Sequence, residues 1–175
     1  MAYNETDGLV DAFDGLGDLK RKTIRCVGDA RERFAEDALR MMRAVRFSAQ
    51  LGFSIEEDTQ AAIRQMASNL CQVSAERIQT ELMKLVTSPH PEYLRLAWEN
   101  GITAQILPEF DRAMEMPQNH PHHVYSVGEH TLHGMMAVAP EKSLRLAMLF
   151  HDLGKPLCHS VDETGLDHFY GHGEL

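Results

Sequence analysis

Residues 28–47 hold the first group of side chains that could do chemistry, because acidic residues there run into a series of arginines. Asp37 stands three positions before Arg40. A carboxylate accepts a hydrogen bond from an exocyclic amine, while a guanidinium donates to a neighbouring ring nitrogen or carbonyl. Such a pair fits the edges of cytosine and adenine, whereas uracil and guanine present the wrong groups. The alternative is a surface ion pair at a helix start, which stabilises a helix by roughly a few tenths of a kcal/mol.

The same stretch shows the period of an amphipathic helix. At about 100° per residue its apolar residues gather on one side: Ala38, Leu39, Met42, Val45 and Ala49. The pattern therefore predicts that Asp37 and Arg40 share a face away from the core. Glu36 and Asp37 would lie at the start of this helix, where the macrodipole favours acidic residues. Arg43 and Arg46 are expected to be structural or to face a phosphate.

A second group of side chains, late in the chain, has the composition of a metal site. Nine of the ten histidines lie at position 120 or beyond. His151 and Asp152 are adjacent, so on a helix they would converge on one ion only if the helix ends there. Gly154 and Pro156 favour such an end. With His130, one predicted helix earlier, they offer imidazole nitrogens and a carboxylate oxygen, which suit a first-row divalent ion.

Lys155 follows Asp152 by three residues and would stand close enough to this set to neutralise a phosphate oxygen. The alternative is a helix end capped by histidine, because polar clusters also arise for structural reasons. The spacing of His130, His151, Asp152 and Lys155 on consecutive predicted helices favours the metal site.

The elements that would position these groups are mainly helical, after a short N-terminal part with strands. Alternating or apolar segments between Gly–Asp turns predict strands at residues 9–13 and 23–27. A pair of strands is not stable alone, so we expect a remnant of a larger sheet. From about Glu36 the pattern is helical and Gly52 ends the first helix. Further helices are predicted at 56–66, 74–86, 92–99, 127–138 and 141–153, with a break at Leu107-Pro108-Glu109 and a boundary at 117–121.

Composition narrows the class of protein. The chain has 175 residues and a net charge of −9, which argues against a surface that binds nucleic acid everywhere but allows a local basic groove. No apolar run approaches the roughly 18 residues of a membrane span, and no signal region opens the chain, so we expect a cytoplasmic protein without a membrane partner. Cys26, Cys71 and Cys158 lack CxxC spacing and are expected to be reduced and buried.

The late histidines resemble the HD phosphohydrolase superfamily, whose pattern is His, then His-Asp, then a later Asp, around one or two divalent metals. The resemblance implies that His130, His151 and Asp152 are ligands of a divalent transition metal and that His172 takes the place of a further ligand. No final Asp follows His172, so we expect an HD domain that is cut short, with an incomplete, weak or empty metal site. Five other histidines of this region are interpreted as surface or packing residues: His120, His122, His123, His133 and His159.

Four segments in order resemble motifs of the bacterial class II tRNA nucleotidyltransferases, which include CCA-adding enzymes and poly(A) polymerases. They are residues 1–4, residues 15–27, Phe34-Ala35-Glu36-Asp37-Ala38-Leu39-Arg40 and Ser74-Ala75-Glu76-Arg77-Ile78-Gln79-Thr80-Glu81-Leu82. The resemblance implies a mainly α fold in three parts: a head remnant at 1–33, a helical neck at 34–116 and part of an HD domain at 117–175. It also implies that Asp37 and Arg40 select CTP and ATP for addition to the tRNA 3′ end, with Glu36 and Arg77 in the nucleotide site.

One departure from the family bears on activity. The Gly-Gly-Ser-like phosphate loop and the paired carboxylates that hold two Mg²⁺ ions in the family head do not occur in this sequence. Two-metal phosphoryl transfer needs such groups. We therefore expect that these 175 residues alone add no nucleotide. The alternatives are a poly(A) polymerase fragment, a stand-alone HD metal phosphohydrolase and a non-catalytic helical RNA-binding module.

Overall fold

The fold is mainly α, as predicted, with 61% of the residues in helices. A computed structural model describes residues 2–6, 8–119 and 124–174. The helices are α1 Gly15–Arg21, α2 Ala30–Glu36, α3 Leu39–Leu51, α4 Glu57–Met66, α5 Ala75–Val86, α6 Leu94–Glu99, α7 Thr103–Ile106, α8 Pro108–Glu115, α9 Val127–Ala137 and α10 Lys142–Phe150. Turns of 3-10 helix occur at Ala67–Gln72, Pro91–Tyr93, Lys155–Leu157 and His172–Glu174.

The strands form three two-stranded sheets within the described ranges. They are β1 Ala2–Asn4, β2 Gly8–Val10, β3 Thr23–Ile24, β4 Ser54–Ile55, β5 His159–Val161 and β6 Asp167–Phe169. β1 pairs antiparallel with β2, and β3 pairs parallel with β4, so that Thr23 lies opposite Ser54. The predicted strand at 23–27 is therefore shorter than expected. Helix α1 was not predicted; the Asp11 carboxylate starts it by accepting hydrogen bonds from the Gly15 and Leu16 amides.

The predicted helix through residues 28–47 is wrong in one respect, because it is two helices. The Asp29 carboxylate accepts from the Arg31 and Glu32 amides and starts α2 early. At Asp37 the backbone is extended, with φ −153° and ψ 103°, and the Asp37 side chain accepts from the Leu39 amide. Aspartate favours such local bonds over a continuous helix. Glu36 is consequently the last residue of α2 rather than the start of a helix.

One hydrophobic core runs from α2 to α10. The apolar side of α3 is buried as the helical period predicted, and Gly52 ends that helix with φ +65°. The core includes Phe34 at one end and Leu132, Met135 and Leu149 at the other. It therefore crosses the expected boundary near residue 117, and the division into three parts stays a prediction.

Two elements in the second half of the chain, α8 and the hairpin of β5 and β6, were not predicted. Pro108 was expected to break the helical pattern, but it occupies the first turn of α8, where its missing N–H is not needed. No strand was predicted after residue 157, but β5 and β6 form an antiparallel hairpin. Its turn is held by the Asp162 carboxylate, which accepts from the Thr164 and Leu166 amides.

Helices α8 and α9 approach closely at Gly128. An ideal Cβ built there would lie 2.7 Å from the Met114 Cα and backbone nitrogen, so only glycine fits. The expectation of buried cysteines is wrong for Cys71, which is exposed, and Cys26, Cys71 and Cys158 are all free thiols. No helix in the described ranges is both long enough and apolar enough to cross a membrane.

Candidate nucleotide and metal sites

Asp37 lies at the break between α2 and α3, and the start of α5 comes next to it. Its Oδ1 accepts from the Leu39 amide at 3.1 Å, and its Oδ2 accepts from Arg77 Nη2 at 2.8 Å. The backbone carbonyl of Asp37 accepts from the Arg40 amide, which fixes the first turn of α3. Asp37 is therefore held by two elements that are 40 residues apart in sequence.

Arg40 does not form an ion pair with Asp37, which was the alternative interpretation of these two residues from the sequence. Its Nη1 lies 3.1 Å from Glu36 Oε2, which also pairs with Arg33 at 2.7 Å. The break at Asp37 has turned the two side chains to different partners. Glu36, Asp37, Arg40 and Arg77 nevertheless form one polar cluster.

The charges around Asp37 favour its ionised form. Burial opposes ionisation, but the hydrogen bonds from Arg77 and the Leu39 amide, together with the charges of Arg77 and Arg40, outweigh it and hold the pKa of Asp37 below its usual value. At neutral pH the Asp37 carboxylate is thus an acceptor only, as reading of an exocyclic amine requires.

A cavity of about 360 Å³ opens beside this cluster. Its apolar lining includes Phe34 and Phe47, and four arginines also line it: Arg25, Arg33, Arg40 and Arg43. The structure separates the two arginines for which sequence left the role open. Arg43 is exposed at this cavity, whereas Arg46 is buried and its Nε lies 2.6 Å from Glu81 Oε2 on α5.

The second group of side chains meets where α9 faces the end of α10. Helix α10 ends at Phe150, so His151 and Asp152 lie in the turn that follows. Nitrogen and oxygen atoms of His130, His151 and Asp152 all lie within 4.8 Å of one another. Two imidazole nitrogens and one carboxylate oxygen at this separation fit a first-row divalent ion. Burial lowers the pKa of His130 despite the opposing charge of Asp152, which favours the neutral imidazole that binds metal.

Asp152 is the centre of this cluster and is 3% exposed. Its Oδ2 lies 3.2 Å from His151 Nε2 and 3.8 Å from His130 Nε2. Its Oδ1 lies 3.5 Å from His172 Nε2, while His172 Nδ1 is 2.7 Å from the Phe169 carbonyl. His172 thus reaches the cluster from the C-terminal side. Lys155 Nζ lies 2.8 Å from Asp152 Oδ2.

Two of the other histidines have partners outside this cluster. His133 is exposed and stacks on Tyr125, with ring centroids 4.2 Å apart. His159 Nε2 lies 2.8 Å from Asp167 Oδ1. His120, His122 and His123 lie outside the described residues.

Sequence reasoning gave no role to several residues that organise the two clusters. Gln118 Oε1 lies 3.1 Å from Lys155 Nζ, and Asp167 accepts from the Asn119 amide at 2.5 Å. Glu81 lies in a segment that the sequence analysis singled out, but its partner Arg46 is 35 positions away. Arg46 and Glu81 are polar residues inside apolar helical patterns, which was a signal, whereas Gln118, Asn119 and Asp167 lie outside the helices and gave none.

The middle of the chain matches a family of known proteins. Residues 52–114 match a family described as "Probable RNA and SrmB- binding site of polymerase A". Curated relatives are CCA-adding enzymes. That of Limosilactobacillus fermentum is 51% identical over 106 residues, covering 61% of this chain and 25% of its own length. That of Latilactobacillus sakei is 60% identical over 86 residues, covering 49% of this chain and 22% of its own length.

Solved structures agree with these relatives. The Bacillus stearothermophilus CCA-adding enzyme in complex with CTP is 40% identical, with a TM-score of 0.59, over 63% of this chain and 29% of that one. A tRNA-processing enzyme in its apo form has the same fold at 24% identity and a TM-score of 0.58, over 87% of this chain and 42% of that one. The chain therefore spans about a quarter or less of the curated relatives that it matches.

Proposed function

We propose, from its match to the CCA-adding enzymes of the tRNA nucleotidyltransferase and poly(A) polymerase family, that this chain is the base-selecting neck of such an enzyme, followed by part of an HD domain. The observation that carries the proposal is the 51–60% identity to CCA-adding enzymes over 86 to 106 residues. The substrates would be CTP, ATP and the 3′ end of tRNA, and the cytoplasm is the expected compartment.

Base selection would rest on Asp37 and Arg40. The Asp37 carboxylate would accept from the N4 amine of cytosine or the N6 amine of adenine, and the Arg40 guanidinium would donate to N3 or N1. Glu36 would orient Arg40 through their ion pair, and Arg77 would orient Asp37. The arginines of the neighbouring cavity would attract the phosphates of the nucleotide. Mg²⁺ for nucleotidyl transfer would bind to head carboxylates of the kind that this sequence lacks.

A segment exchange tests this role. Residues 28–114 would replace the corresponding segment of the Latilactobacillus sakei enzyme, and incorporation of CMP, AMP, UMP and GMP into tRNA lacking its end would be measured. We expect selective addition of CMP and AMP by the chimera. Asp37→Ala should relax that selection, whereas Asp58→Ala, an exposed carboxylate on α4, should leave it unchanged. A folded chimera without activity, or unchanged selection in Asp37→Ala, would contradict the proposal.

We propose a second activity for the HD part because its donor set fits a metal. His130, His151 and Asp152 would hold a divalent transition metal, and His172 lies close enough to serve as a further ligand. Such an ion would act as a Lewis acid on a phosphoryl oxygen. Hydrolysis of cyclic or terminal phosphates that depends on added metal and is lost in Asp152→Ala would support this activity. Equal hydrolysis by the variant would refute it.

A further inference from the structure

Lys155 is a buried cation beneath the proposed metal site. Its side chain is 10% exposed, and Nζ lies 2.8 Å from Asp152 Oδ2 and 3.1 Å from Gln118 Oε1. Nζ also lies 5.4 Å from the centre of the Phe169 ring on β6. The ammonium group therefore joins the 117–119 segment, the turn after α10 and the C-terminal hairpin.

The groove beside the metal site does not reach Lys155. This groove has a volume of about 530 Å³ and includes His151 and His172 in its wall. The rest of the wall is largely apolar, from residues such as Leu107, Phe150 and Leu157. Lys155 is not part of it. A phosphate that entered by this groove would meet the two imidazoles, so the expected contact between Lys155 and a phosphate is not what this geometry favours.

The position of Lys155 has an electrostatic consequence for Asp152. A buried carboxylate without a counter-charge is strongly destabilising, and Lys155 supplies that charge. A divalent ion held by His130, His151 and Asp152 would place two more positive charges beside the same carboxylate. The ion and the ammonium group would repel each other across a short distance, beside a carboxylate that is itself buried.

We propose that Lys155 is a positioning residue that acts as the internal counter-ion of Asp152 and competes with the divalent ion for its carboxylate. Lys155 thereby lowers the metal affinity of the site and stabilises the fold when no metal is bound. This inference rests on the proposed metal site. It assigns to Lys155 a role toward the metal rather than toward the substrate.

The test measures binding of Mn²⁺ alone to the 175-residue chain by calorimetry, together with the rise in Tm that Mn²⁺ causes. Lys155→Met removes the charge and keeps most of the side-chain volume. We expect it to lower the Tm without metal and to tighten Mn²⁺ binding at least about tenfold, because the repulsion is gone. Lys155→Arg keeps the charge and should bind Mn²⁺ within about threefold of the unaltered chain. Lys155→Gln replaces Lys155→Met if the latter does not fold.

The outcomes separate the inference from the metal site itself. If the unaltered chain binds Mn²⁺ and the neutral variants bind it equally or more weakly, the competition is refuted while the metal site stands. If neither binds Mn²⁺, both are refuted. Asp152→Asn should abolish binding in every background. A neutral variant with unchanged Mn²⁺ affinity but weaker binding of inorganic phosphate would show that Lys155 contacts phosphate instead.

Discussion

Asp37 uses both of its carboxylate oxygens within the protein. One accepts from the Leu39 amide and the other from Arg77, so the orientation of the carboxylate is set before a nucleotide binds. Each oxygen has a second lone pair, which leaves acceptor capacity for an exocyclic amine. Arg77, on α5, therefore helps to set the direction of the free lone pairs of the Asp37 carboxylate. Base selection in the proposed function would depend on a residue that need not touch the base.

We predict the effect of Arg77→Met on the pKa of Asp37. Loss of the guanidinium should raise that pKa toward the ordinary aspartate value of about 3.9, as measured by NMR titration of the carboxyl carbon. Because the pKa of Asp37 is lowered in the folded state, its pair with Arg77 stabilises the fold fully at pH values above the ordinary aspartate pKa. This stabilisation is lost as the pH falls through the folded-state pKa. The variant should thus have a lower free energy of unfolding near pH 7, by about 0.2–1 kcal/mol as for an exposed pair, and this difference should vanish in acid. Arg77→Lys should restore most of it, and an unchanged pKa in Arg77→Met would contradict this account.

Helices α3 and α5 are joined along their length by two ion pairs, one exposed and one buried. Asp37, just before α3, pairs with Arg77 at the start of α5, and Arg46 pairs with Glu81 one turn further along α5. The buried pair fixes the distance and register of the two helices, and with them the position of Arg77. The geometry of the candidate nucleotide site thus depends on how α3 and α5 pack.

We predict that Glu81→Ala destabilises the fold by about 3–5 kcal/mol, because it leaves the Arg46 guanidinium buried without its counter-charge. The double variant Arg46→Met with Glu81→Leu should recover most of this loss, since apolar side chains of similar volume fill the space. Chemical denaturation of the single and double variants measures both effects. A single variant as stable as the unaltered chain would show that solvent reaches Arg46.

A matched pair of glycine substitutions tests the contact between α8 and α9. Gly128→Ala should destabilise by about 1–3 kcal/mol, because its Cβ would meet the Met114 backbone and force the helices apart. Gly134→Ala, on the same helix, would meet only the terminal methyl of Met148, which can move. That variant should be neutral or slightly stabilised, by up to about 1 kcal/mol, through the higher helix propensity of alanine. Equal effects in thermal unfolding would disprove the close approach at Gly128.

Several carboxylates with lowered pKa values join parts of the chain that are distant in sequence. The Arg95 hydrogen bond outweighs burial and lowers the pKa of Glu129, which joins α6 to α9, and the His159 and Asn119 bonds lower that of Asp167 in the hairpin. The pKa of Asp37 is also lowered, whereas burial raises the pKa of Asp111. The first three groups each connect segments that are distant in sequence, so their protonation acts on the whole fold.

We predict that the Tm falls as the pH is lowered from 6 to 3. A carboxylate whose folded-state pKa is lowered contributes stability that is present above its unfolded value and is lost as the pH falls through the folded value. Glu129→Gln should flatten this dependence, because one of the contributing groups is removed. Glu163→Gln, at an exposed position of the hairpin turn, should leave the slope unchanged. Circular dichroism at a series of pH values checks this, and a slope unaffected by Glu129→Gln would contradict it.

Features that depend on neighbours within a few residues could be predicted from the sequence alone. The helical period placed the buried side of α3, Gly52 marked its end, and the short apolar segments at the N-terminus indicated strands. These features arise from backbone sterics and from the separation of apolar and polar faces, which act locally. Even the break at Asp37 had a local signal, since aspartate commonly starts helices, but the continuous apolar period concealed it.

The polar groups that meet across long sequence distances could be identified only from the folded chain. Asp37 with Arg77, Arg46 with Glu81, and Lys155 with Gln118 are 35 to 40 positions apart. Their pairing depends on how helices pack and on how a hairpin, itself tied to Asn119 through Asp167, folds back on the chain. Such contacts follow from the global burial of apolar surface, which no short stretch of sequence specifies. The types of residue at the two candidate sites were therefore visible in the sequence, whereas the partners that orient them were not.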